Sequence, residues 1–144
     1  MNVGIIGSGG REHAICVALS KSEKTKEIYC FPGNAGTAKL AKNIDIDLNN
    51  FDQIKNLVVE KNIDLIVVGP EKPLVDGIVD FFEKNNIKIF GPNQIASQLE
   101  GSKIFTKQLC KKYNIPTANF GVFKDPNDAK LFLNNCDYPI VIKA

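Results

Sequence analysis

Residues 2–6 read Asn-Val-Gly-Ile-Ile and residues 7–13 read Gly-Ser-Gly-Gly-Arg-Glu-His, so a strand-like apolar run passes directly into a glycine-rich loop. Three glycines within four positions allow a tight turn and bring backbone N–H groups close to a ligand. A helix-like stretch follows at residues 12–20, so the positive end of its dipole points at the loop. Arg11 adds a guanidinium group suited to phosphate or carboxylate. The stretch therefore predicts an anion-binding loop after the first strand.

A dinucleotide-binding fold often carries such a loop, and two features of this chain disfavour it. The fingerprint G-x-G-x-x-G requires its third glycine where this chain has Glu12. The second strand is followed by Pro-Gly-Asn-Ala-Gly-Thr at residues 32–37, without the carboxylate that would bind the ribose hydroxyls. We therefore do not expect a nicotinamide cofactor.

The composition is that of a globular protein and excludes several classes of function. At 144 residues and 44% hydrophobic content the chain has room for one domain, or for one domain and the start of another. A net charge of +2 argues against nucleic acid, and no apolar run is long enough for a membrane span. The four cysteines are widely spaced and His13 is the only histidine, which disfavours zinc sites. We expect a reduced, cytoplasmic protein without a signal peptide.

Strand and helix patterns alternate along the first hundred residues. Helical spacing is found at residues 12–20, 51–61 and 74–84, and strand-like runs at 3–6, 27–31, 64–68 and 87–90. The run at 64–68 is apolar throughout, as in strands covered on both faces. This order predicts an α/β fold, with an open, mostly parallel, Rossmann-like sheet flanked by helices.

Every unusual loop follows one of these strands, at residues 7–13, 32–37, 69–73 and 91–93. Turn chemistry alone would explain isolated Gly and Pro residues. The carboxyl ends of parallel strands meet at one rim of the sheet, however, and four such loops together favour a ligand site there.

The pattern changes after residue 93. We expect a lysine-rich helix at residues 98–114, a strand at 121–123, a helix at 127–134 and a final strand at 138–143. Residues 1–100 are therefore assigned to an N-terminal α/β domain and residues 101–144 to the incomplete beginning of a second domain.

Six short motifs occur in a characteristic order: GSGGREH at residues 7–13, PGNAGT at 32–37, VGPE-x-PL at 68–74, FGP at 90–92, LEGSK at 99–103 and PIVIKA at 139–144. With them the chain resembles the glycinamide ribonucleotide synthetases, or phosphoribosylamine–glycine ligases, of the ATP-grasp superfamily. The resemblance implies a substrate-binding pre-ATP-grasp domain followed by the start of an ATP-grasp domain.

The resemblance also implies a reaction of de novo purine biosynthesis. In that family ATP phosphorylates glycine, and the amine of 5-phosphoribosylamine attacks the glycyl phosphate to give glycinamide ribonucleotide, ADP and phosphate. Mg²⁺ would bridge the nucleotide phosphates, and its ligands are expected in a later part of the protein. We therefore expect no catalytic or metal-binding residue in this chain and no ligase activity from it alone.

The resemblance assigns substrate-binding roles to residues of two loops. Gly9, Gly10, Arg11, Glu12 and His13 would lie near the phosphoribosyl substrate, and Glu71 would accept a hydrogen bond from its amine or hydroxyls. From the residues alone, Glu12 is equally a carboxylate in the first turn of a helix. Glu71 lies in a proline-containing loop, where it could also be merely solvated.

Two lysines would contact ATP. Lys103 and Lys143 match the nucleotide-binding lysines of ATP-grasp enzymes. Lys143 follows Ile-Val-Ile, where a buried strand would need a partner for its charge. A solvated position at the end of the chain would also explain it, and Lys103 lies among other lysines.

Two other classes of function stay open. The chain could be part of a different ATP-grasp ligase or carboxylase, or a nucleotide-binding module without catalysis. In each case we expect small-molecule ligands. Apolar residues of the second region that would pack against a missing part, Ile104 and Leu131 among them, predict self-association of the fragment.

Overall fold

The computed structural model describes residues 1–143; Ala144, which ends both the PIVIKA motif and the second predicted domain, lies outside the described residues. The described chain divides into two compact units, Met1–Gly101 and a second that starts at Ser102. Each unit is described by itself.

The first unit is built on a five-stranded parallel sheet, which confirms the predicted α/β fold class. Its strand order is β3-β2-β1-β4-β5, with β1 at Asn2–Gly7, β2 at Glu27–Pro32, β3 at Lys42–Asn43, β4 at Leu65–Val68 and β5 at Ile89–Phe90. The edge strand β3 was not predicted, because two polar, exposed residues carry no hydrophobic alternation.

Helices cover both faces of this sheet. They are α1 Gly10–Ser20, α2 Phe51–Glu60, α3 Glu71–Val75, α4 Ile78–Lys84 and α5 Gln94–Gly101, with a 3₁₀ turn at Thr37–Lys39. Alternate residues of β1 enter two separate cores, because side chains of a strand point to opposite faces. Val3 and Ile5 pack with Cys16 of α1, whereas Ile6 packs in a cluster with Ile54 of α2.

The expected single helix at residues 74–84 is wrong, since the structure has two helices there. Gly77, between α3 and α4, has φ +92°, a left-handed conformation that interrupts a right-handed helix. The first of the two helices, α3, starts at Glu71, directly at the rim of the sheet.

The second unit contains two helices, α6 Lys103–Lys112 and α7 Pro126–Asn134. Ser102 caps α6 by accepting a hydrogen bond from the Phe105 N–H at 3.2 Å, and Asp125 caps α7 through the Asn127 N–H at 2.7 Å. Neither helix has a buried residue. Within residues 1–143, the structure has no helix that is both long and apolar enough to cross a membrane.

Three expectations for this region are wrong. The helix predicted at residues 98–114 is two helices, because Ser102 has extended backbone angles and begins α6 as its cap. The segments 121–123 and 138–143 are not strands in the described chain. A strand requires hydrogen bonds to a neighbouring strand, and the described residues of the second unit provide none. Val141 and Ile142 are instead 79% and 75% exposed.

Candidate functional site

A cavity of about 540 Å³ lies at the carboxyl ends of β1 and β4. Along the chain, β2 and β3 are added on one side of β1, and β4 and β5 on the other side. The strand order therefore reverses between β1 and β4, which form the topological switch point of the sheet. The cavity is lined by residues 7–12 after β1, by residues 70–73 at the start of α3, and by Leu48 and Asn49 before α2. Of the four loops predicted to form a ligand site, those after β1 and β4 line this cavity, whereas residues 32–37 and 91–93 do not.

The loop after β1 is built around a buried glutamate. Glu12 is 4% exposed, and its Oε2 accepts a hydrogen bond from the Gly9 N–H at 2.5 Å. A Cβ at Gly69 would lie 1.9 Å from Glu12 Oε1, and one at Gly7 would lie 2.8 Å from Glu12 Cδ. Glu12 therefore fills the space between the loops after β1 and β4, and the glycines around it provide that space.

Arg11 connects the same two loops from the surface. Its Nη1 donates a hydrogen bond to the carbonyl oxygen of Gly69, and the side chain is otherwise exposed at the cavity. A guanidinium group has five N–H donors, so this bond leaves donors for an anionic group of a ligand.

The first turn of α3 supplies charges to the opposite wall. Glu71 and Lys72 are both exposed and line the cavity, and Lys72 Nζ is paired with Asp76 Oδ2 at 2.5 Å. With Arg11 on one wall and Glu71 on the other, the crevice suits a ligand that carries both an anionic group and hydrogen-bond donors.

His13 lies outside this cavity lining. It is half-buried beside residues 32–37, where a Cβ at Gly36 would come within 2.9 Å of its ring. Asn34 of the same segment donates from Nδ2 to the carbonyl oxygens of Ser8 and Gly9, at 2.8 and 3.1 Å. Residues 32–37 thus contact the loop after β1 and hold its backbone through Asn34.

Two buried thiols belong to the core that contains Val3 and Ile5, and neither lines the cavity. Cys16 and Cys30 are both fully buried, with their sulfur atoms 3.2 Å apart. Burial raises the pKa of Cys30 to about 12 and also raises the pKa of Cys16. Both are therefore protonated and unreactive at neutral pH.

The predicted nucleotide-binding lysines belong to the second unit. Lys103 is exposed at the first position of α6, and Lys143 is exposed in a segment without regular structure. Among residues 1–143, no cluster of three or more His, Cys, Asp or Glu side chains could hold a metal ion.

The structure thus brings together five of the predicted substrate-binding residues, Gly9, Gly10, Arg11, Glu12 and Glu71. Sequence reasoning missed Leu48, Asn49 and Lys72 as lining residues. The segment before α2 has no motif, and only the fold brings it to the rim. The Pro-Gly-Asn sequence at residues 32–34 predicted a loop, but it did not predict that Asn34 bonds to Ser8 and Gly9.

Two family models together match the whole chain. The phosphoribosylglycinamide synthetase N domain matches residues 1–100, and the ATP-grasp (A) domain of the same protein matches residues 101–144.

Curated relatives match over the full length of the chain. It is 48% identical to the phosphoribosylamine–glycine ligases of Clostridium acetobutylicum and Caldanaerobacter subterraneus, over 100% of this chain and 35% and 34% of those proteins. The chain therefore spans about a third of the length of these relatives.

Solved structures share the fold. The phosphoribosylamine–glycine ligase of Thermotoga maritima superposes with a TM-score of 0.68 and 33% identity, over 95% of this chain and 31% of that one. The N5-carboxyaminoimidazole ribonucleotide synthetase of the same organism superposes with a TM-score of 0.67 and 20% identity, over 91% and 36%, which shows a shared fold alone.

Proposed function

Because the chain belongs to the phosphoribosylglycinamide synthetase family, we propose that it is the N-terminal part of an ATP-dependent ligase that joins glycine to 5-phosphoribosylamine. The products would be glycinamide ribonucleotide, ADP and phosphate, in de novo purine biosynthesis in the cytoplasm. The observation that carries this proposal is the crevice between β1 and β4, which has a phosphate-type loop on one wall and an exposed carboxylate on the other.

The two regions would have separate tasks. Residues 1–100 form the substrate-binding domain, and residues 101–144 begin the ATP-grasp domain. The limits of the family models and the boundary between the compact units, after Gly101, support this division.

Within the crevice, the residues divide by charge. The backbone N–H of Gly10 and the guanidinium of Arg11 bind the phosphate of phosphoribosylamine, with Gly9 beside it, and Glu71 accepts a hydrogen bond from its amine or hydroxyls. Glu12 shapes the crevice from its buried position between the loops. His13, which lies beside Gly36, would be near the substrate without lining the crevice.

ATP and Mg²⁺ would act beyond this crevice. Lys103 and Lys143 would contact the nucleotide, as exposed cationic groups can, and Mg²⁺ would neutralise charge on its phosphates. The Mg²⁺ ligands would belong to a later part of the ligase. Residues 1–144 alone therefore lack ligase activity, and glycine-dependent ADP release by them would contradict this.

A different ATP-grasp ligase or carboxylase is the second candidate. The match of residues 101–144 to an ATP-grasp domain model is compatible with that class as well. Thermal shifts with glycinamide ribonucleotide, bicarbonate and NAD separate the candidates, because only a true ligand stabilises the native state.

The deciding experiment is titration calorimetry of the chain with glycinamide ribonucleotide. Arg11→Ala and Glu71→Ala should each weaken binding roughly 10- to 100-fold, because charge-assisted hydrogen bonds contribute about 1.5–3 kcal/mol. Glu83→Ala is the matched control, since Glu83 is an exposed helical carboxylate outside the cavity lining.

Binding that Arg11→Ala and Glu71→Ala leave unchanged would contradict the assigned site. If the unsubstituted chain does not bind, the titration is repeated on a longer protein that contains the complete ATP-grasp domain. Absence of binding there would contradict the proposed function.

A further inference from the structure

Asn34 lies in the loop after β2 and contacts the neighbouring loop after β1. Its Nδ2 donates hydrogen bonds to the carbonyl oxygens of Ser8 at 2.8 Å and Gly9 at 3.1 Å. We propose that Asn34 is a positioning residue, which orients the Ser8–Gly9 and Gly9–Gly10 peptide groups so that the Gly9 N–H meets Glu12 and the Gly10 N–H faces the crevice. The inference rests on the proposed function for the identity of the ligand.

The orientation of the Asn34 amide is determined by its surroundings. Its Oδ1 accepts hydrogen bonds from the N–H groups of Gly36 at 2.7 Å and Thr37 at 3.0 Å. These donors require an oxygen at that position, so the amide NH₂ must face Ser8 and Gly9. Thr37 is fully buried, and its Oγ1 accepts from the Asn34 N–H at 2.7 Å, which holds the backbone of Asn34 in place.

The bonds made by Asn34 determine where the next N–H groups point. In a planar trans peptide the C=O and the following N–H point in opposite directions. The Ser8 carbonyl faces Asn34, and the Gly9 N–H accordingly points the other way, to Glu12 Oε2 at 2.5 Å. By the same geometry, the Gly9 carbonyl faces Asn34 and the Gly10 N–H points away from it.

Gly10 lines the crevice and is the first residue of α1. The N–H groups in the first turn of a helix have no acceptor within the helix, so the Gly10 N–H is directed to a ligand. The Gly9 carbonyl also accepts a hydrogen bond from the His13 N–H at 3.2 Å. Asn34 adds a second donor to that carbonyl and a donor to the Ser8 carbonyl, which further restricts a Ser-Gly-Gly loop whose glycines limit φ and ψ so little.

Two substitutions of Asn34 distinguish its bonds to Ser8 and Gly9 from its support of the turn at residues 34–37. Asn34→Ala removes the donor and the acceptor of the side chain without adding charge. Asn34→Asp restores the acceptor for Gly36 and Thr37 but not the donor for Ser8 and Gly9. The matched control is Asn85→Ala, because Asn85 Nδ2 also donates to a backbone carbonyl, that of Phe81 at 2.8 Å, at the end of α4.

Each variant is tested by calorimetry with glycinamide ribonucleotide and by NMR hydrogen exchange. Both Asn34 variants should bind about tenfold more weakly, because each loses the two bonds from Nδ2 that orient the loop and with them a well-placed Gly10 N–H. The amides of Gly9 and His13, whose bonds depend on this loop, should exchange faster. Asn85→Ala should change neither reading, even if it lowers the melting temperature.

Wild-type affinity in Asn34→Asp, or unchanged exchange in Asn34→Ala, would overturn the inference and leave the proposed function standing. Accelerated exchange with unchanged affinity would overturn it as well. If the unsubstituted chain does not bind glycinamide ribonucleotide, the exchange measurement decides alone: faster exchange at Gly9 and His13 supports the orienting role, and unchanged exchange overturns it.

Discussion

Among single residues, Glu12 has the most consequential surroundings. It occupies the position of the third glycine in a dinucleotide fingerprint, and its buried carboxylate fills the space between the loops after β1 and β4. The glycines at positions 7, 9 and 69 each lie too close to its side chain to carry a Cβ without a shift. One large residue and three small ones therefore form a single packing unit.

Gly69→Ala should lower the free energy of unfolding by roughly 1–3 kcal/mol, the usual cost of overpacking, because the new Cβ would lie 1.9 Å from Glu12 Oε1. Urea unfolding measures the effect. Gly10→Ala is the control, since nothing lies within 4 Å of a Cβ there.

The double substitution Gly69→Ala with Glu12→Ala tests the cause of that loss. Removal of the Glu12 carboxylate relieves the contact, so the two substitutions should be less destabilising together than the sum of their separate effects. Strict additivity would mean that Gly69 is required for another reason.

At the level of helices and strands, hydrophobic periodicity predicted the elements whose apolar residues face the core. The strand-like runs predicted at residues 3–6 and 64–68 are found as β1 and β4, and α1 and α2 lie within one or two residues of their predicted limits. Periodicity failed where one residue overrides a pattern: the stripe at 74–84 is helical on both sides of Gly77, and only its positive φ separates α3 from α4. The run at 138–143 has the composition of a strand but no paired neighbour.

The candidate site was also predictable only in part, where the sequence carries a local pattern. Glycines and charges of residues 7–13 mark a loop in the sequence, and parallel topology brings residues 69–73 beside it. Leu48 and Asn49 reach the rim only through the path of the chain after β3, which no local pattern encodes.

Gly77→Ala should destabilise the first unit by about 1–2 kcal/mol, because an alanine pays the steric penalty of a left-handed backbone. Its Cβ would meet Gln94 only at 3.4 Å, so strain rather than a clash is the cause. Gly77→Asn should recover part of the loss, since asparagine tolerates this conformation. Equal urea midpoints for the Ala and Asn variants would contradict this account.

For the whole molecule, the contrast between the two units predicts its behaviour in solution. The first unit has two buried cores, whereas α6 and α7 have no buried residue and Leu131, Val141 and Ile142 are more than 60% exposed. Exposed apolar surface of this kind favours association.

We expect the 144-residue chain to self-associate in a concentration-dependent way, measured by sedimentation or light scattering. The double substitution Val141→Lys with Ile142→Lys should reduce association, because it places charges on that surface. Phe90→Lys, at an equally exposed position of the first unit, is the control. A monomer at all concentrations would contradict the prediction.

The tie between Arg11 and Gly69, together with the packing around Glu12, has a consequence for the speed of capture. Walls joined in this way have little conformational entropy left to lose when a small molecule arrives. The ligand therefore meets two loops that are already held against each other. The rate of association is then set by diffusion and by the orientation of the encounter.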